Sequence, residues 1–382
     1  MTTTGNTSRL TIIFLIDALG WEIARKHDFC ATLLPCSGPL DTILGYSSAA
    51  IPSLLSGTPP SVHGAWAMYR YAPETSPFKF LRRVPRLPRP MEWRLRAFTR
   101  WVTEKRKTIK GYYDLYEIPL DVLGYFDVAH HGDPYLPGGF GEETFFDRLV
   151  KENVPFKVWT YRTPEPKNLE ALRNSIDSPN RVLFLYTAEL DALMHRVGTV
   201  HGAVAEKLRS YEKWVRTLLD AASSAGRDTT FFLFSDHGMT DVKTVVDLKS
   251  EVRKWGYRMG RDFMAFYDST MARFWCDPKI TDDLVKKLDG SGWGRVLAAA
   301  ELEALGCRFA DDSYGEVIFL CAPGYLIVPS YMGKEPVAAM HGYHPEDPSS
   351  RGCFFSNDSK RRLPESILDL KDLLVTHVLE TR

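Results

Sequence analysis

Three short apolar runs, each closing on a carboxylate, constrain this chain more than any other feature. They read LTIIFLID (residues 10–17), VLFLYTAELD (182–191) and TFFLFSDHG (230–238). Each is rich in β-branched or aromatic residues and free of charge until its end, the pattern of a strand covered on both faces in a parallel sheet. Helical patterns lie between them. In residues 203–222, Val204, Leu208, Tyr211, Val215 and Leu218 recur on one face. Strands alternating with helices predict an α/β fold with a doubly wound, mostly parallel central sheet flanked by helices. Polar groups at the carboxyl ends of such strands line one crevice, where ligands bind.

Two stretches interrupt the alternation. Residues 66–139 are rich in Tyr, Pro, Arg and Trp and read as an irregular insertion with one helix. Residues 246–333 hold the strand-like pieces FMAFYDSTMARFW and EVIFLCAPGYLIV and a Lys-rich helix near 281–288, expected to form a smaller α+β cap. The catalytic core is then assembled from residues 9–65, 140–245 and 335–382, which a chain of 382 residues accommodates.

Lys+Arg and Asp+Glu are both 48, so no overall charge draws the chain to nucleic acid, and none is expected as a partner. The balance conceals a basic stretch, Lys79 to Lys110, with twelve Lys/Arg against Glu92 and Glu104, a net +10. Within it Leu95, Phe98, Trp101, Val102 and Ile109 can share one helical face, with Arg94, Arg96, Arg100, Lys107 and Lys110 largely elsewhere. Such a helix is expected to pack its apolar face on the core; contact with an anionic membrane surface or an anionic substrate is the functional alternative. The apolar run Leu10–Ile16 is at the lower limit for an export signal and no small-residue cleavage site follows it. Nothing approaches ~18 consecutive apolar residues. The reading is a cytoplasmic protein whose six scattered cysteines, without a CxxC pair, are reduced thiols, mostly buried.

Four sites offer carboxylate and imidazole together or in turn. Asp17 closes the first run; alone, it would more often cap a helix. In LDALMHRVG, Asp191 and His195 stand four apart, which on a helical turn puts both on one face. In SDHGM, Asp236 and His237 are adjacent, and Gly238 is expected to allow a sharp turn. MHGYHPEDP offers His341 and His344. Carboxylates mixed with imidazoles suit Zn²⁺ or Mn²⁺. Six ligands are too many for one tetrahedral ion and about right for two divalent ions. A nucleophile candidate lies in LGYSSAAIPSLLSGTPPSVHG, where Ser47 and Ser48 precede a helical pattern stopped by Gly57 and Pro59-Pro60. Pro52 is expected in the first turn, placing the serines at a helix N-terminus, where backbone N–H groups favour a phosphate oxygen.

The order of these motifs resembles the type I phosphodiesterase/nucleotide pyrophosphatase branch of the alkaline phosphatase superfamily. The matching stretches are Asp17, Ser47 to Gly57 with Pro60-Ser-Val-His63-Gly64, Asp191 to Gly198, Ser235 to Met239, and His341-Gly342-Tyr343. The resemblance implies an alkaline phosphatase-like fold and a two-metal phosphodiesterase or phosphohydrolase acting through a phosphoseryl intermediate. Transfer of the phosphoryl group to an alcohol, or nucleotide pyrophosphatase activity, stands as the alternative. It assigns one ion, zinc before manganese, to Asp191, His195 and His341. The other falls to Asp17, Asp236 and His237, with the nucleophile hydroxyl as a further ligand. Counting back ten from Gly57 selects Ser47, with Ser48 in a Ser-Ala-Ala string as the neighbouring choice. His63 and His344 are expected to be structural or to support the ligands from behind. The substrate is expected to be a small-molecule or lipid-linked phosphate ester. Sulfate esters are not expected, because the Cys/Ser-x-Pro-x-Arg signature is absent. Nucleotide-cleaving members usually carry an Asn three residues after the nucleophile; here Ala50 stands there, so nucleotide diesters are expected to be mediocre substrates.

Overall fold

In the computed structural model, which describes residues 9–84, 88–105, 109–360 and 362–380, the three apolar runs become the middle of one sheet. Its six strands run in the order Cys36–Leu40, Gly352–Ser356, Asp228–Phe234, Arg9–Ile16, Val182–Thr187, Phe156–Trp159. Gly352–Ser356 is antiparallel to both its neighbours and the other five strands share one direction. Side chains alternate across the sheet, as the two-residue period requires. Ile13, Leu15, Phe184 and Phe232 enter one core, while Ile12, Phe14, Leu183, Phe231 and Leu233 enter the other.

Helices cover both faces. Gly202–Ser224 buries Val204, Leu208, Tyr211, Val215, Leu218 and Ala222, with the Tyr211 ring edge-on to Phe14 at 5.9 Å. The opposite face carries Ser47–Ser56, Phe145–Lys151 and Leu370–Glu380, whose apolar residues share a core with Ile13 and Phe184. This is the doubly wound, mostly parallel α/β fold.

The strand-like pieces after residue 246 form a second, antiparallel sheet in the order Phe263–Tyr267, Met271–Cys276, Val317–Cys321, Gly294–Val296. Helix Pro278–Asp289 packs Leu284 and Leu288 with it. Arg273, fully buried there, pairs with Asp268 at 2.8 Å and donates to the Tyr69 carbonyl, tying the α+β cap to the insertion before it.

That insertion is richer than one helix. Tyr69–Tyr71 pairs with Phe126–Val128, and short turns at Lys79–Arg83 and Leu120–Leu123 accompany the long helix Arg89–Lys105. The expected packing face does not hold together. Phe98 and Trp101 are exposed, Leu95 and Val102 half-buried, and Ile109 buried but beyond the helix. The inward positions are Thr99 and Thr103, both buried. Residues 85–87 and 106–108 of the basic stretch, Lys107 among them, lie outside the described residues.

All six cysteines are free thiols, four buried and two half-buried. No helix among the described residues is long and apolar enough to cross a membrane.

Candidate active site

The carboxyl edge of the sheet gathers the predicted ligands into two clusters. Asp17, Asp236 and His237 form one and Asp191, His195 and His341 the other, with donor atoms in each within 4.8 Å of one another. Asp17 follows the first strand directly, and Asp236 and His237 follow Phe234 after one intervening residue, Ser235. Asp191 and His195 sit one turn apart on helix Glu189–Val197, so this pair comes from a helix that begins just past its strand. His341 follows the two-residue strand Ala339–Met340, which pairs with Thr240–Asp241. The Gly238 backbone is not left-handed. Its role is close approach, since a Cβ there would lie 2.1 Å from the Ser349 carbonyl oxygen.

The hydrogen bonds set the imidazoles for ligation. His195 Nδ1 lies 2.8 Å from the Ala339 carbonyl and His237 Nδ1 2.9 Å from that of Gly238. A carbonyl only accepts, so both protons sit on Nδ1 and both Nε2 lone pairs face the clusters. His195 Nε2 is 3.1 Å from Asp191 Oδ1, and His237 Nε2 is 3.3 Å from Asp236 Oδ2. Asp191 Oδ1 and Asp236 Oδ2 are buried without a hydrogen-bond partner among the described residues. Converging lone pairs and orphaned buried carboxylate oxygens repel unless a cation lies between them, so the donor set fits metal ions. The burial of these groups carries the same message. Burial, with Asp236 and Asp191 adding, pushes the Asp17 carboxyl well above the usual range, and burial raises Asp236 as well. Burial, then His237 and His195, drives His341 far down, and its ring stacks on His237 at 3.9 Å.

Ser47 is the first residue of helix Ser47–Ser56, after Tyr46 as N-cap. Its Oγ lies 2.9 Å from His237 Nε2 and 3.4 Å from Asp17 Oδ1, at the edge of the first cluster. Ser48 lines the same cavity without such contacts. Pro52 falls in the second turn, one turn later than expected, so the Ser48 carbonyl has no Pro52 N–H to accept. Gly57, left-handed at φ 70°, closes the helix. His63 and His344 stand outside both clusters. His63 donates from Nε2 to Ser53 Oγ at 2.8 Å and accepts from Ala65 N–H, bracing this helix. His344 meets Glu301 of the cap at 3.1 Å.

Tyrosines form the part of the site that motif spacing did not reveal. Tyr186 donates to Asp17 Oδ2, and Tyr135 stacks on Tyr186 at 5.4 Å. A cavity of about 570 Å³ opens over Asp17, Ser47, Asp191 and His341, walled by Tyr112, Tyr116, Tyr161, Met68, Val328 and Met332. The only signal was the tyrosine content of the insertion and the YT before AELD. Ala50 does not line this cavity; its methyl is buried in the core beside Leu54. The expectation that Ala50 removes a substrate-facing donor therefore fails on geometry, because a side chain at this position points into the core.

A family comparison gives the class, a hydrolase of the alkaline phosphatase superfamily, with which this fold and this donor set agree. More narrowly, the chain belongs to the type I phosphodiesterase/nucleotide pyrophosphatase family, whose model matches residues 11–344. Among solved structures, mouse ectonucleotide pyrophosphatase/phosphodiesterase 5 superposes with a TM-score of 0.68 at 13% identity, covering 97% of this chain and 95% of that one. The human protein of the same name gives 0.68 at 12% over the same shares. An inactive threonine-to-alanine variant of the mouse protein, in complex with AMP, gives 0.65 at 15%, again with 97% and 95% covered. No curated protein matches the chain by sequence.

Proposed function

We propose that the chain is a metal-dependent phosphodiesterase that cleaves its ester through a phosphoseryl intermediate on Ser47. Asp17, Asp236 and His237, with the Ser47 hydroxyl, would hold one divalent ion, and Asp191, His195 and His341 the other. Bound there, zinc or manganese supplies Lewis-acid stabilisation of phosphoryl charge and makes a serine hydroxyl nucleophilic at neutral pH.

The chain's own groups do the rest. Ser47 Oγ loses its proton and forms a new bond to phosphorus as the bond to the leaving alcohol breaks, and the alcohol takes up a proton as it departs. Water then attacks that phosphorus, cleaves the Ser47 O–P bond, restores the hydroxyl and releases the phosphate as a monoester that keeps the second alcohol. The N–H groups of Ser47 and Ser48 begin the helix without intrahelical acceptors and, with its dipole, favour a phosphoryl oxygen. Tyr186 keeps Asp17 from rotating away from the hydroxyl.

Cavity chemistry supports an ester carrying an apolar or aromatic group, a small molecule or a lipid-linked phosphate, since tyrosine, methionine and valine wall it. With Ala50 turned to the core, nucleotide diesters are substrates of the same site on this reading. The observation that carries the proposal is the Ser47 hydroxyl, 2.9 Å from His237 and 3.4 Å from Asp17, at a helix start. The test is the intact mass of protein quenched in acid during turnover of a chromogenic phosphodiester. An adduct mapping to Ser47, a phosphoryl group still carrying the ester group that has not left, and absent from Ser47→Ala, is expected. An adduct on Ser48, or hydrolysis by Ser47→Ala at the wild-type rate, refutes it.

A further inference from the structure

Helix Arg89–Lys105 wears its aromatic residues outward. Trp93 is 71% exposed, Phe98 54%, Trp101 52% and Met91 53%. Its inner side is largely polar instead, with Leu95, alone among its described residues, packed against the core cluster of the cap. Thr99 and Thr103 are buried and return their hydroxyls to the helix's own carbonyls. Arg96 pairs with Glu92 at 2.8 Å and donates to the carbonyls of Tyr116, at 3.0 Å, and Ile118. Most surface helices are arranged the other way, with the apolar stripe inside.

At 100° per residue, Phe98, Lys105, Arg94 and Trp101 follow one another on one part of the outward arc, and Trp93 and Arg100 lie side by side on another, so rings and cations share that face. All six are exposed. Phe98 and Trp101 stack at 5.9 Å, and the Lys105 ammonium lies 4.6 Å over the Trp101 ring. Indole and phenyl rings interleaved with arginine and lysine seek the boundary between lipid headgroups and acyl chains, where rings enter the apolar edge and cations meet phosphate. The stretch around the helix carries a net +10. That charge sets two copies of the arm against each other and favours an anionic surface.

We propose that the outward face of helix Arg89–Lys105 docks on an anionic lipid surface. The geometry gives docking a consequence for the site. Arg96 fastens the helix to the segment around Tyr116, and Tyr112 and Tyr116 line the catalytic cavity. A chain seated on this face therefore holds part of its cavity wall close to the headgroups. The docking surface stands whichever ester the site cleaves.

The experiment uses the full chain with vesicles of phosphatidylcholine alone and of phosphatidylcholine with phosphatidylserine, read by co-sedimentation at two salt concentrations. Wild-type protein is expected to bind the anionic vesicles at least tenfold more tightly than the neutral ones, less so at high salt. The triple variant Trp93→Ala, Phe98→Ala, Trp101→Ala and the charge variant Arg94→Glu, Lys105→Glu should each lose about tenfold or more. Both should keep the wild-type circular-dichroism melt, since none of these side chains is buried. Failure of wild-type protein to bind, or binding that neither variant weakens, overturns the proposal. So does a wild-type dimer in sedimentation velocity that the aromatic variant dissociates, which would give this face to a second copy.

Discussion

Two amphipathic helices in this molecule obey the same period and face opposite ways. Gly202–Ser224 lays Val204, Leu208, Tyr211, Val215 and Leu218 against the sheet, as its sequence pattern predicts. Arg89–Lys105 turns Trp93, Phe98 and Trp101 to solvent and offers threonines and Arg96 to its neighbours. The difference lies in the surface each helix meets. The first meets a sheet face of Phe14, Leu183 and Phe231, where only apolar side chains are satisfied. The second meets the segment 115–118, whose backbone carbonyls need donors, and Arg96 supplies them. Periodicity reveals that a stripe exists; the partner surface decides whether the stripe is covered.

The contrast can be broken first where the effect is largest. Leu218→Ala should destabilise the protein by about 2–5 kcal/mol in chemical denaturation, because a buried leucine leaves a cavity between helix and sheet. A cost near zero would mean that this helix does not cover the sheet as described. The next test joins the core to the chemistry. Tyr186→Phe removes the hydroxyl that holds Asp17 and should weaken divalent-ion affinity by about 10–100-fold, read by titration with a competing chelator. Unchanged affinity would make the contact incidental. The smallest effect belongs to the insertion. Trp93→Ala should shift stability by no more than about 0.5 kcal/mol, as at an ordinary exposed position. A loss of about 2 kcal/mol or more would show that the indole is packed and that the two helices are alike after all.

The core and the two Asp/His clusters were legible in the sequence because both rest on local rules. Buried strands announce themselves by unbroken apolar runs, and Asp17, Asp236 and His237 follow those runs within three residues. Asp191 and His195 are read from a four-residue spacing that a helix must honour. The pair Ser47 and Ser48 was placed at a helix start by its pattern, although Pro52 lies a turn deeper than the steric rule suggests, and only the family spacing to Gly57 singled out Ser47. What escaped depends on contacts between distant segments. Tyr186 reaches Asp17 across two neighbouring strands, and Tyr135 arrives from the insertion to stack on it. Ala50 was misread for the same reason, since only the helix's orientation on the core shows that position 50 faces away from the cavity. Gly238 was assigned to a turn, whereas the Ser349 carbonyl, more than a hundred residues on, is what excludes a side chain there.

The central claim is that Asp17, Asp236 and His237 hold one divalent ion and Asp191, His195 and His341 another. Elemental analysis of the purified protein, set beside the Asp191→Asn/His195→Ala variant, tests it most directly. The account predicts two ions per chain in the wild-type protein and one in the variant, with hydrolysis lost on chelation and restored by zinc or manganese. One ion or none in a wild-type protein that remains fully active after chelation would contradict it.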